Sequence, residues 1–255
     1  MRQELSDPYQ NAAEIIRGGR RIAAFTGAGI SVESGIPPFR GPDGLWSRYD
    51  PRMLEIGYFL EHPGRCWAAI REIFYRSFAS ARPNAAHFAL AAMESAGLLH
   101  CVITQNIDDL HHRAGSRVVW EYHGNSRNLI CLGCSTNYRV AEVDLEEIPP
   151  TCRMCGGVLK PDFVFFGEPI PEPAATKSLL EARLSDVFLL VGTTGEVMPA
   201  CMIPRAAKEN GARIIEVNPE ESEYTGGVTD VFLQAKATAA LSHLIDILGV
   251  VAKSG

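Results

Sequence analysis

The chain has 255 residues, 46% hydrophobic and 21% charged, with 24 basic against 30 acidic residues and a net charge of −6. This composition excludes a disordered tail, a collagen-like rod and a disulfide-dense miniprotein, and an acidic balance is a poor footprint for nucleic acid. No apolar run reaches the roughly 18 residues of a membrane helix, and the start, MRQELSDPYQ, lacks a signal-peptide pattern, so a cytoplasmic protein without a membrane partner is expected.

In chain order, Arg21 to Thr26 (RIAAFT) reads as a buried strand. A long stretch from Gly35 to about Ala81 follows, with Pro and Gly early and helical patterns late. Ala85 to Ala96 predicts a helix, with Asn84 as N-cap and Gly97 as stop. Cys101 to Thr104 (CVIT) is a second strand, and DLHHRAG a short helix beyond it. Gly124 to Lys160 holds four of the seven cysteines. Helical patterns at Ala174 to Leu184, Pro199 to Asn210 and Ala239 to Val250 then alternate with strands at Val187 to Val191 and Arg213 to Val217. Short apolar runs alternating with helices predict an α/β doubly wound parallel sheet. The two long interruptions read as insertions, and loops of that length are usually functional.

The first strand runs into Gly27-Ala28-Gly29. Glycines there let the backbone turn sharply and approach a phosphate held by helix N–H groups. The dehydrogenase fingerprint is not met, because its third glycine falls on Val32; alone, the motif is equally a plain tight turn. After CVIT come Gln105, Asn106, Ile107 and Asp108, past the carboxyl end of a parallel strand, where such folds bind ligands. They also suit a turn and a helix cap.

Cys131-x2-Cys134 and Cys152-x2-Cys155 stand 17 residues apart. The spacing falls within the window for tetrahedral zinc, and four thiolates make a closed, structural site. The alternatives are two disulfides or separately packed thiols. Seven cysteines cannot all pair within one chain. Cys66 and Cys101 read as core residues, and Cys201 as a buried small residue near a helix start.

The string GAGISVESGIPPFRG, the TQNID segment, His123-Gly124 and Phe-Gly-Glu at 166–168 together resemble the sirtuins, the NAD-dependent protein deacylases. The likeness runs in order from about Ala12 to Ala235. It implies a Rossmann-like domain (1–36, 82–123 and 161–255), a cofactor loop with inserted helices (37–81) and a zinc-ribbon module (124–160). It implies NAD as co-substrate, with contacts from Gly27, Ala28, Gly29, Phe39, Arg40, Gln105, Asn106, Ile107 and Asp108. Gly192, Thr193 and Thr194 match a ribose and phosphate contact, with Thr194 in place of the usual serine. Asn218 matches an adenosine contact, and Ala235 is expected near the adenine. His123 is implied as the general base, with Asn106 and Asp108 positioning ribose and water. His111 and His112, on the short helix, are expected to be structural or exposed. Val164, Phe166, Gly167 and Glu168 match a segment that pairs with an extended acyl-lysine peptide.

The implied reaction starts with attack of the acyl oxygen on the ribose carbon as nicotinamide leaves. His123 then assists a ribose hydroxyl, and water completes release of lysine and O-acyl-ADP-ribose. One sirtuin class removes dicarboxylic acyl groups with a Tyr and an Arg placed three and six residues after a helix tryptophan. Here those positions, counted from Trp67, are Ile70 and Ile73. Neither pairs with a carboxylate, so an acetyl or longer apolar acyl group is expected beside them. The rival readings are an NAD hydrolase or ADP-ribosyltransferase using the same pocket, and a zinc-ribbon nucleic-acid module. Glu142, Asp144, Glu146 and Glu147 in the ribbon speak against the last. A monomer is expected.

Overall fold

The computed structural model describes residues 7–39, 44–78 and 80–252, apart from the side chain of Ser77. Six parallel strands form the main sheet: β1 (Ile22–Thr26), β2 (Cys101–Thr104), β3 (Val119–Glu121), β7 (Val187–Val191), β8 (Arg213–Asn218) and β9 (Val231–Gln234). Their order is β3-β2-β1-β7-β8-β9, so the chain winds outward from β1 in both directions. Three antiparallel strands, β4 (Gly124–Cys131), β5 (Asn137–Arg139) and β6 (Leu159–Phe163), form a second sheet in the order β5-β4-β6.

Period-two alternation divides the main core into two layers. Ala24 pairs with Val102 and Leu189, and all three face one layer, with helices α1 (Pro8–Gly18), α4 (Ala85–Ser95) and α8 (Ala237–Leu248). Phe25 pairs with Ile103 and Leu190, and these face the other, with α6 (Ala174–Leu184) and α7 (Met202–Glu209). Both faces being covered, β1 and β7 are buried at every position, which is why they read as continuous apolar runs. Asn84 caps α4 as expected, its side chain accepting from Ala86 N at 3.0 Å. The expected helix at Pro199 begins three residues later, at Met202.

Helix α1, outside the elements expected, starts at an Asp7 cap and Pro8 and buries Ala12, Ala13 and Ile16, with Tyr9 packed beside them at helical spacing.

The two insertions share one core. Helices α2 (Ile56–Glu61) and α3 (Pro63–Ile70), with a π-helical turn at Arg71–Ser77, pack their Phe59, Trp67, Ile70 and Ile73 against Leu129, Cys131, Cys152 and Leu159 of the ribbon. Trp67 Nε1 donates to Leu159 O at 2.7 Å. Arg127 on β4 joins the ribbon to the main sheet: its guanidinium donates to both Glu121 oxygens at 2.6 and 2.7 Å, and to Asp109.

Candidate active site

The glycine turn is shaped first by backbone crossing. Gly27 N donates to Val191 O at 3.0 Å and Gly29 N to Gly192 O at 2.9 Å, so the loops after β1 and β7 lie against each other where the sheet switches direction. A Cβ on Gly29 would come 2.6 Å from Gly192 Cα, and one on Gly192, at φ +63°, would come 2.4 Å from Ile30 N. Both positions therefore exclude any side chain. Asn84 Nδ2 donates to Ile30 O at 2.8 Å and Ser34 Oγ at 3.0 Å, fastening the turn to α4.

A cleft of about 520 Å³ opens at this crossing. Its wall includes Gly27, Ala28, Gly29, Phe39, Gln105, Asn106, Ile107, His123, Gly192, Thr193, Thr194 and Asn218. It also includes Val164, Phe166, Gly167 and Glu168, so most of the expected cofactor and peptide residues meet around one space. Arg40 lies outside the described residues. Ala235 does not line the cleft; it packs on the main core, and its N–H bonds Asn218 O at 3.1 Å. Asp108 stands just behind the wall, in a small recess it shares with Asn106.

The polar side chains form a connected set. Gln105 Nε2 donates to Thr193 Oγ1 at 3.0 Å, joining the β2 and β7 loops. Asn106 Nδ2 donates to Gly27 O at 3.0 Å and Ser31 Oγ at 3.2 Å. Ser31 Oγ donates to Asp108 Oδ2 at 2.7 Å, and Leu110 N to Oδ1 at 2.9 Å. Burial raises the Asp108 carboxyl above the usual range, and these two bonds partly offset that.

His123 ends the β3 segment, with Nδ1 3.1 Å from Gln105 O. A carbonyl only accepts, so Nδ1 carries the proton and Nε2 keeps a lone pair. Burial lowers the His123 pKa and the Gln105 contact raises it by less. The imidazole is thus held neutral, as a base should be. His111 is buried, with Nε2 2.9 Å from Thr26 Oγ1, and His112 is exposed; both fit the structural reading. Asp109, His112 and Glu121 also converge to ligand distance, but the Arg127 guanidinium already meets both carboxylates.

Val164 to Glu168 arches along one side. Val164 N donates to His123 O at 2.9 Å, and Phe166 pairs with Leu54 and Ile56. Glu168 folds inward, accepting from Phe165 N at 2.7 Å and pairing with the buried Lys160 at 3.1 Å. The facing wall, Val197, Met198 and Pro199, was not anticipated, nor was Pro219 to Ser222. Their one signal was position, directly after the β7 and β8 carboxyl ends.

The acyl-pocket expectation needs correction. Ile70 and Ile73 do not line the cleft; they are 0% and 1% exposed in the small core. Phe74 lines it instead, with Phe39 6.4 Å and Phe163 5.2 Å away between ring centroids. Ile70 ends the regular helix α3 and faces the ribbon core with Trp67; beyond it the π-helical turn at Arg71–Ser77 breaks the 3.6-residue frame for Ile73 and Phe74. Arg71 turns away, donating to Leu145 O and Glu146 Oε2, both at 3.0 Å. Tyr75 stacks on Trp67. No Lys or Arg lines the cleft among the described residues.

The four ribbon sulfurs lie within 4.8 Å of one another, with Cys131–Cys155 at 3.4 Å and Cys134–Cys152 at 3.6 Å. Tetrahedral zinc with bonds of about 2.3 Å needs sulfur separations of about 3.8 Å. A Cβ on Gly133 would come 3.3 Å from Cys155 Sγ, and one on Gly157 3.1 Å from Cys131 Sγ. The sulfurs need to spread by only a few tenths of an ångström to admit the ion, and the two glycines leave the room for it. The donor set suits structural zinc. Cys66, Cys101 and Cys201 are buried, away from this cluster.

A parallel sheet with a glycine crossing at its switch point, a neutral histidine and a four-cysteine ribbon defines a nucleotide-using enzyme class. The Sir2 family model matches residues 27–199, and the chain belongs to that family. It is 46% identical over 240 residues to NAD-dependent protein deacylase 2 of Pyrobaculum aerophilum, covering 92% of this chain and 94% of that one. It is 46% identical to the NAD-dependent protein deacylase of Aeropyrum pernix, covering 94% and 97%. Among solved structures, a Sir2 homolog–NAD complex superposes with TM-score 0.87 at 38% identity, covering 94% of this chain and 93% of that one. A Sir2 variant with deacetylated p53 peptide and 3′-O-acetyl ADP ribose superposes with TM-score 0.90 at 31% identity, covering 95% and 99%.

Proposed function

We propose that the protein removes acyl groups from lysine side chains at the expense of NAD, yielding nicotinamide, O-acyl-ADP-ribose and free lysine. The observation that carries this is the single cleft in which the glycine crossing, a neutral His123 and the Val164–Glu168 strand meet. The named relatives and the complexes of related structures support it.

NAD, when bound, supplies a ribose carbon that accepts the acyl oxygen as nicotinamide departs. The chain's part is orientation and proton handling. The N–H groups of Gly27, Gly29 and Gly192 are taken up by the crossing itself, so Ala28, Thr193 and Thr194 are left to offer backbone N–H groups, and the two threonines their hydroxyls, where a pyrophosphate would lie. Asn106 has its amide protons engaged by Gly27 and Ser31, so its side-chain oxygen is what it presents to a ribose. His123 Nε2 is the acceptor for a ribose hydroxyl proton, and Nδ1–H on Gln105 O fixes the ring. Phe39 packs against Trp46 and Phe74 at the apolar end, where it would shield the sugar from returning nicotinamide. The aromatic lining, with no cation in it among the described residues, favours acetyl and longer apolar acyl groups.

The domain division is proposed in modified form, with 37–81 and 124–160 forming one small unit on a shared core. A cytoplasmic monomer with no nucleic-acid partner is proposed. No helix among the described residues is long and apolar enough to cross a membrane.

The test uses purified protein, NAD and lysine peptides carrying acetyl, butyryl, longer apolar or succinyl groups. Nicotinamide and deacylated peptide are followed together by mass spectrometry. Equal yields that require acyl peptide, and fall about 100-fold or more in His123→Ala, are expected. Nicotinamide release without acyl peptide would instead make the protein an NAD hydrolase or transferase.

A further inference from the structure

Behind the cleft stands a buried carboxylate that no cation among the described residues meets. Glu216, on β8, is 0% exposed between the core residues Ile215 and Val217. Its Oε1 accepts from Asn218 Nδ2 at 2.9 Å and Ser222 Oγ at 2.5 Å. Its Oε2 accepts from Thr225 Oγ1 at 3.0 Å and Thr229 Oγ1 at 2.5 Å. Burying a carboxylate without a counter-charge is costly unless donors meet it on all sides. Here all four donors come from the twelve residues 218–229, which begin at the last residue of β8.

The bonding runs both ways. Ser222 Oγ also accepts from Tyr224 N at 3.1 Å, and Thr225 Oγ1 from Ser222 N at 2.9 Å. With their hydroxyl protons directed at Glu216, these side chains hold the backbone by their lone pairs. The same segment supplies Asn218 and Pro219 to Ser222 to the cleft wall. Asn218 Nδ2 divides between Glu216 and Thr193 O, the latter at 3.0 Å. The Asn218 side-chain oxygen is thereby aimed, and the loop beyond it is held at one height over the cleft.

We infer that Glu216 is a positioning residue for the adenosine end of NAD, acting through Asn218 and the 219–229 loop. This rests on the NAD-dependent reading above. Glu216 does not line the cleft and touches no reacting atom, so its effect falls on cofactor affinity rather than on the chemical step. Hydroxyl donors suit this role, because charge-assisted bonds are short and strong while adding no positive charge beside the cofactor site.

The test compares Glu216→Gln and Thr229→Val with the parent protein. Thr229 is outside the cleft wall and donates one of the four bonds. Steady-state KM for NAD and for acetyl peptide, kcat, the ADP-ribose Kd by calorimetry, nicotinamide inhibition and Tm are measured. NAD KM and ADP-ribose Kd should rise about tenfold in Glu216→Gln and about threefold in Thr229→Val. At saturating NAD, kcat, peptide KM and nicotinamide inhibition should stay within about twofold. A lowered Tm with unchanged NAD KM, or a kcat loss with unchanged KM, overturns the inference. If Glu216→Gln does not fold, Thr229→Val decides by the same criteria. If the parent protein itself fails to bind ADP-ribose, the NAD reading falls, and this one with it.

Discussion

At the scale of single residues, burial sets the chemistry of the histidines. His123 has its pKa lowered mainly by burial, and only the neutral ring can act as a base. Activity should therefore be retained above the lowered pKa and fall below it. The acid limb of kcat/KM should have its midpoint under the ordinary value of about 6.5; a pH profile with the midpoint above 7 would contradict the assigned base. His87 is pushed down to about 4 and His111 well down, both chiefly by burial, with their rings 4.9 Å apart. These rings are neutral when folded and bind protons more readily when unfolded. Their contribution is complete above the unfolded pKa and is lost as pH falls from about 6.5 toward 4, on the order of 3 kcal/mol for His87. Urea titrations at pH 7 and pH 4.5 should show that loss, and a smaller one in His87→Gln.

At the scale of elements, two backbone features leave no freedom. Gly192→Ala would force a Cβ to 2.4 Å from Ile30 N at positive φ. A cost of about 3 kcal/mol or more is expected, because both partners are backbone. Calorimetry should record a lower Tm and lost ADP-ribose binding; a Tm within a degree of the parent would count against the tight crossing. In the ribbon, Cys131 and Cys152 belong to the same core as Trp67. Stripping the metal with a strong chelator, or Cys152→Ser, should loosen that core first. The expected readout is a red-shifted tryptophan emission with most far-ultraviolet helical signal retained. Simultaneous loss of both signals would mean that the two units do not unfold separately.

At the scale of the whole molecule, substrate choice emerges where the small unit closes on the sheet. The inner end of the cleft is built from Phe39 and Trp46 of one segment, Phe74 of the π-helical turn and Phe163 of the ribbon sheet. No cation lines that end among the described residues, and a distal carboxylate buried there without a partner carries a penalty of about 3 to 5 kcal/mol. Succinyl-lysine peptide should therefore turn over at least about tenfold more slowly than acetyl-lysine peptide. Competition between the two in one reaction measures this directly, and equal rates would refute it. Phe74→Ala enlarges the same space and should shift preference toward longer apolar acyl groups.

How much was legible follows from the range of each interaction. The strands β1, β2, β7 and β8 were readable because burial on both faces writes an uninterrupted apolar run into the chain. Helices α4 and α6 were readable from runs of strong helix formers, and α4 also from its cap. The cysteine spacing was readable because each Cys-x2-Cys turn is local, and so were the glycine turn, the Gln105–Asp108 loop and His123, as contiguous motifs. Helix α1 was legible too, from Tyr9, Ala12, Ala13 and Ile16 at helical spacing behind Asp7 and Pro8, and lay outside the elements expected. The cleft's second wall, Val197 to Pro199, escaped because nothing local marks an apolar residue as cleft-facing. Ile70 was misplaced because its helix face packs on the ribbon core, a partner distant in sequence, and Ile73 because a π-helical turn, invisible in composition, rotates the face beyond Ile70. The sequence by itself determined the family's local motifs, since backbone turns and ligand spacing are short-range. Tertiary structure alone decided which aromatic rings close the cleft, how Gly29 meets Gly192, and that Glu216 holds the wall beneath Asn218, because each joins segments that only folding brings together.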